Sequence, residues 1–167
     1  QKFILNKKIK IVLDAGNGAA GEVADTIFKS QGFETISINK DPDGNFPNHH
    51  PDPSKEENLE QLKSAVIENK ADIGFAFDGD GDRLIVVDEK GREVDGDKII
   101  ALLCKNFIIP KKRPNQHDVI ITVMSNMGLE KYLKERLKLK IKRTAVGDIN
   151  VINQMKKSKS MIGGEQS

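Results

Sequence analysis

The sequence predicts an α/β protein built as two consecutive α/β/α units with mixed, mostly parallel sheets. Three observations carry this reading. Short β-branched, apolar runs of strand length alternate with segments whose apolar residues recur at helical spacing. Glycine-containing turns separate one kind of segment from the next. Finally, Pro110-Lys-Lys-Arg-Pro-Asn-Gln-His117 interrupts the rhythm with two prolines and three consecutive charges, the signature of a linker, and divides the chain into units spanning 1–109 and 110–167.

Taken in order, Lys10-Ile-Val-Leu-Asp-Ala15 is a β-branched, apolar run that stops at Gly16-Asn-Gly18, which predicts strand and tight turn. Val23, Ala24, Ile27 and Phe28 then recur at helical spacing. Phe33 to Ile38 predicts a second strand. After a loop rich in Pro, Asp, Asn and His, from Asp41 to Pro53, a helix is expected with Leu59, Leu62 and Val66 on one face. Ser54 is placed as its N-cap, with Glu57 completing a capping box. Ala71 to Phe77 and Leu84 to Val87 are two more strands, Glu89-Lys-Gly91 a turn, and Ile99 to Phe107 a helix. Beyond the linker the expected order is strand Val119–Val123, helix Leu129–Leu137, strand Ile141–Val146, helix Val151–Lys156, and a strand starting at Met161-Ile162. That last strand runs into Gly163-Gly164-Glu165-Gln166-Ser167, which suggests a polypeptide that continues further.

Composition excludes several functions. Lys+Arg 27 against Asp+Glu 25 leaves a net charge of +2, too balanced for a nucleic-acid protein. The basic clusters at Lys111, Lys112 and Arg113 and at Lys156, Lys157 and Lys159 have no interleaved aromatics and read as solvated surface. Cys104 is the single cysteine, so no intrachain disulfide forms, and its apolar neighbours mark a buried small hydrophobe. No apolar run is long enough to cross a bilayer, and residues 1–8 lack a signal peptide's apolar stretch, so a cytoplasmic location is expected.

The most informative stretch is Phe77-Asp78-Gly79-Asp80-Gly81-Asp82-Arg83, with three carboxylates at alternate positions after a buried strand. At an effective dielectric of 20, two carboxylates about 5 Å apart repel by roughly 3 kcal/mol, so a positive partner is expected. Oxygen ligands without nearby His or Cys select a hard divalent cation, Mg²⁺, Ca²⁺ or Mn²⁺. The glycines let the backbone fold around it. Arg83 adds a fixed fork suited to a phosphate that also touches the metal. Competing readings are an EF-hand, opposed by Arg83 where Gly is required and by strand-like flanks. A haloacid-dehalogenase-like phosphatase would make Asp78 and Asp80 nucleophile and acid/base. A non-catalytic divalent-cation-binding module would need neither Arg83 nor the polar loop at Glu165 and Ser167.

Asp78-Gly-Asp-Gly-Asp-Arg83 resembles the metal-binding loop of the α-D-phosphohexomutase superfamily, and other segments resemble it in the same order. Leu13-Asp-Ala-Gly-Asn-Gly18 is similar to the opening strand and turn of that family's second domain. Gly44-Asn-Phe-Pro-Asn-His-His-Pro-Asp-Pro53 resembles a loop of its phosphomannomutase/phosphoglucomutase members, and Gly164-Glu-Gln-Ser167 the sugar-recognition loop of its third domain. Val123-Met-Ser-Asn-Met-Gly128, Ala145-Val-Gly-Asp148 and Gln166 look most like phosphoglucosamine mutases, while Ile149 stands where those enzymes usually carry Arg. The resemblance implies a central piece covering the second and most of the third domain, with the first domain and its phosphoserine, and the fourth domain, lying elsewhere in the parent. It further implies that Asp78, Asp80 and Asp82 hold Mg²⁺, that Arg83 contacts the transferring phosphoryl group, and that Glu165 and Ser167 bind sugar hydroxyls. The activity implied is interconversion of hexose 6-phosphate and 1-phosphate through a bisphosphate, glucosamine phosphate first and mannose or glucose phosphate next. The piece alone is expected to be inactive.

Other residues read as structure. Asp14-Ala-Gly-Asn-Gly18 can cradle phosphate but lacks both glycine-rich fingerprints and is taken as a turn. His49 and His50, flanked by Pro51 and Pro53, belong to a rigid loop. Ser125-Asn126 either faces substrate or caps the helix that follows, and His117 has no chemical role.

Overall fold

The computed structural model describes residues 8–108 and 118–166. The chain divides into two units between Val94 and Asp95. In the first, β1 (Lys10–Asp14) is buried along almost its whole length and lies inside the sheet, as a continuous apolar run should. It pairs in parallel with β2 (Glu34–Ile38) on one side and β3 (Ile73–Phe77) on the other. β4 (Leu84–Asp88) and the short β5 (Glu93–Val94) continue the sheet antiparallel, giving the order β2-β1-β3-β4-β5. β5 was not anticipated, because two residues are too few to show alternation.

Successive residues of β1 face opposite sides. Val12 packs with Leu59, Leu62, Val66, Ala76, Ile85 and Val87 under α2 (Glu60–Glu68). Ile11 and Leu13 join Ala24, Phe28, Phe33 and Phe75 under α1 (Gly21–Ser30). The expected apolar face of α1 is only half used: Ala24 and Phe28 turn inward, whereas Val23 and Ile27 are 60% and 54% exposed. The inward stripe is completed by Asp25, buried because Lys29, Thr35 and Lys40 all bond its carboxylate. The predicted Ser54 capping box does not form. Ser54 Oγ donates to Asp52 instead, and α2 is entered through a tight 3₁₀ turn, Glu56–Leu59, without a side-chain cap.

The second unit holds α3 (Gly96–Leu103), β6 (Asp118–Thr122), α4 (Met127–Lys131), β7 (Lys140–Thr144), α5 (Asp148–Ser158) and β8 (Ile162–Gly164). Wider π-type turns extend α3 over Cys104–Ile108 and α4 over Tyr132–Arg136. The sheet β7-β6-β8 is wholly parallel. Its core is Ile100, Cys104, Val119, Ile121, Leu129, Leu133, Leu139 and Ile162. Because α3 contributes Ile100 and Cys104 to that core, the division falls after β5 and not at 109/110. Composition marked the proline-rich stretch, but not the core against which the helix before it packs; Pro110–His117 itself lies outside the described residues. α3 also begins three residues earlier than expected, where Asp95 caps it by accepting from the Lys98 N–H at 2.8 Å. Cys104 is fully buried and burial pushes its thiol up to about 12, in keeping with a small hydrophobe. No helix among the described residues is long and apolar enough to cross a membrane.

Candidate metal centre

β3 and β4 pair antiparallel up to Phe77 and Leu84, so Asp78 to Arg83 form the loop of a β-hairpin. This geometry is unlike the helix–loop–helix of an EF-hand. The Asp78 N–H donates to the Arg83 carbonyl at 3.3 Å, and the Gly81 N–H to the Asp78 carbonyl at 3.1 Å. Gly81 sits at φ +79°, a conformation that lets the chain reverse and aim alternate carboxylates inward. One ligand oxygen from each of Asp78, Asp80 and Asp82 lies within 4.8 Å of the others, with Asp78 buried and the other two open to solvent. The three predicted ligands thus converge.

Electrostatics within the loop are divided. Burial pushes the Asp78 carboxyl up, but the Arg83 backbone N–H and guanidinium outweigh it and hold the carboxyl below the ordinary carboxylate value. Its Oδ1 accepts from the Arg83 N–H at 3.0 Å and its Oδ2 from Arg83 Nε at 2.8 Å. The Asp80 charge, followed by Asp78, pushes Asp82 upward. Exposed Asp80 and Asp82 therefore repel, which a divalent cation relieves. Each Asp78 oxygen keeps a second lone pair for that cation. Arg83 is itself pushed further up by Asp78, and its side chain stays 46% exposed.

Two neighbouring segments brace the loop. In the turn after β1, the N–H groups of Gly16, Asn17, Gly18 and Ala19 donate to Asp14 Oδ1, Asn39 O, Ala15 O and Gly79 O respectively. All four are engaged within the protein, in keeping with a structural turn. Gly18 is required: a Cβ there would lie 2.6 Å from the Gly79 carbonyl oxygen. From the other side, the Gly79 N–H donates to Pro51 O at 3.2 Å, and Asp52 Oδ1 lies 3.3 Å from Arg83 Nη1. Asp52 carried no signal in the sequence as a partner of Arg83, because thirty-one positions separate them. His49 contacts buried Asp14 through Nε2 at 3.1 Å, in keeping with a structural loop.

In the second unit, the loops after β6, β7 and β8 carry the remaining candidates. Glu165 Oε1 accepts from the Gly147 N–H at 2.9 Å, fixing the loop after β8 to the turn before α5. Gly147 sits at φ +119°, a backbone conformation that favours glycine. Ser167 lies outside the described residues. Asn126 caps α4 by accepting from the Leu129 N–H at 2.9 Å, while Ser125 is buried. Ile149 is 61% exposed in the first turn of α5 and offers no polar group to a ligand there.

The fold and this hairpin define an α/β/α protein with three converging carboxylates that could hold a cation, beside a half-exposed arginine. Residues 1–91 match the model for phosphoglucomutase/phosphomannomutase, alpha/beta/alpha domain II, and residues 95–167 that for domain III. The chain belongs to the phosphoglucomutase/phosphomannomutase family. It is 44% identical over 171 residues to the phosphoglucosamine mutase of Campylobacter curvus, covering 99% of this chain and 36% of that protein. It is 47% identical over 161 residues to that of Thermoanaerobacter pseudethanolicus, covering 96% and 35%. A phosphoglucomutase/phosphomannomutase family protein from Burkholderia thailandensis superposes with a TM-score of 0.86 at 35% identity, over 97% of this chain and 34% of the other. The chain therefore spans about a third of the length of the relatives it matches.

Proposed function

We propose that the polypeptide carrying this chain is a phosphosugar mutase that interconverts the 6-phosphate and 1-phosphate of a hexose through a bisphosphate, with glucosamine phosphate as its substrate. The observation that carries the reading is the convergence of Asp78, Asp80 and Asp82 with Arg83 at the edge of their loop. The names of the relatives support the sugar, as does their 44–47% identity across nearly the whole chain.

The three carboxylates fit Mg²⁺: they supply only oxygen, with no His or Cys in the cluster, and two of them face solvent where a phosphate can approach. When bound, the ion supplies charge neutralisation for the oxygens of a transferring phosphoryl group. Arg83 presents its exposed guanidinium to the same group and orients it by paired N–H donors. Asp78 anchors that arginine at Nε, which keeps the guanidinium beside the loop. Glu165 and Ser167 bind sugar hydroxyls, and a phosphoserine on another domain of the parent donates the phosphate. The 167-residue chain by itself is inactive. A reducing cytoplasm suits a chain whose one cysteine is a buried thiol.

The test is expression of the full-length polypeptide that carries this chain, assayed with Mg²⁺ and a trace of hexose bisphosphate on glucosamine, glucose and mannose phosphates, beside Asp80→Asn. Isomerisation fastest on glucosamine phosphate, and lost in the variant, is expected. Release of inorganic phosphate without isomerisation would instead establish a phosphatase.

A further inference from the structure

The connection from β2 to α2 is long and polar; Asn17 bonds its first half through Asp41, Asp43 and Asn48, and a buried carboxylate ties in His49 beyond them. Asp14, 1% exposed at the end of β1, accepts from the Gly16 N–H at 2.9 Å and from Asn39 Nδ2 at 3.0 Å. His49 Nε2 lies 3.1 and 3.3 Å from its two oxygens. On the other side of the ring, Nδ1 lies 2.9 Å from the His50 carbonyl oxygen. Two and three residues further on, Pro51 O accepts from the Gly79 N–H and Asp52 Oδ1 reaches Arg83 Nη1. Asp52 is itself fixed by Ser54, whose N–H and Oγ donate at 3.2 and 2.7 Å, and its carbonyl accepts from Asn58 Nδ2 at 2.8 Å.

Arg83 is thus gripped by two carboxylates from distant parts of the chain. The bond from Nε to Asp78 alone holds one edge of the planar guanidinium and leaves it free to pivot about the Nε–H···Oδ2 line. A second bond at Nη1 fixes the plane. We propose that Asp52 is a positioning residue for Arg83, and that the His49–Asp14 contact sets the place of Asp52 by tethering residues 48–53 to the end of β1. The inference rests on the reading of Arg83 as a contact to the transferring phosphoryl group.

Asp52→Asn, Asp52→Glu, His49→Asn and the Asp52→Asn/His49→Asn double variant are made in the full-length polypeptide, and two readouts are taken. The first is the ¹⁵N NMR signal of the Arg83 guanidinium, which needs no turnover. Its Nη groups rotate slowly in wild type and average in Asp52→Asn and His49→Asn. The second is steady-state kinetics, in which Asp52→Asn lowers kcat by about tenfold while KM for the sugar phosphate moves less than threefold. Asp52→Glu recovers part of the loss, and the double variant is no slower than the slower single one, since both act through the same arginine. Thermal midpoints of the variants separate this from general loss of fold. An Arg83 signal unchanged in Asp52→Asn, or a kcat within twofold of wild type, overturns the proposal. A wild-type polypeptide that binds sugar phosphate without isomerising it would remove the mutase reading alone, and the NMR comparison still decides the role of Asp52.

Discussion

Asp25 shows how a single residue can decide the behaviour of an element. It occupies an inward position of α1 where an apolar residue is expected, and it is 4% exposed. Burial pushes its carboxyl up, but Lys29, Thr35 and Lys40 reverse that and hold it well below the ordinary value of 3.8. A carboxyl depressed in the folded state stabilises the fold fully above its unfolded pKa, and the contribution is lost as pH falls through the folded one. Asp25→Asn should therefore lower stability by about 2 kcal/mol at neutral pH. The gap between wild type and variant should stay constant down to about pH 5 and narrow below 4, as thermal melts across that range will show. The three aspartates of the hairpin loop were legible in the sequence because their spacing carries the chemistry locally. Asp25 and Asp52 were not, since each is defined by partners that the fold brings from other elements.

At the scale of elements, strands and helices of ordinary length were legible from their periodicity, and the errors lie at their ends, in the two-residue β5 and in the rotation of α1. The starts of α2 and α3 depended on which side chain reached a backbone N–H, Ser54 or none for the first and Asp95 for the second. Which residues of α1 face inward depended on the helix's rotation about its axis, which the four apolar residues at helical spacing left undecided between two faces. The turn after β1 and the hairpin between β3 and β4 form one packed device, joined by the Ala19 N–H bond to Gly79 O and by the close approach of Gly18. Gly18→Ala should force these two turns apart, at a cost of about 1–3 kcal/mol. The expected result is a lower thermal midpoint together with Mn²⁺ binding weakened several-fold. A variant that loses stability but binds Mn²⁺ as wild type does would show that the two turns are not coupled.

Across the whole molecule, the sequence disclosed two α/β units, a mixed sheet in the first and a carboxylate cluster between β3 and β4. It misplaced the division between the units, because α3 gives its apolar face to the second core although the charged, proline-rich stretch follows it. If the acidic hairpin holds a divalent cation in the service of a sugar phosphate, cation and sugar phosphate bind cooperatively, which a purely structural cation site would not show. The most direct measurement is a Mn²⁺ titration of the full-length polypeptide by electron paramagnetic resonance, with and without glucosamine 6-phosphate, for wild type and Asp80→Asn. Binding strengthened by the sugar phosphate in wild type and lost in the variant is the result this account predicts. Binding indifferent to the sugar phosphate, or unchanged by Asp80→Asn, would contradict it.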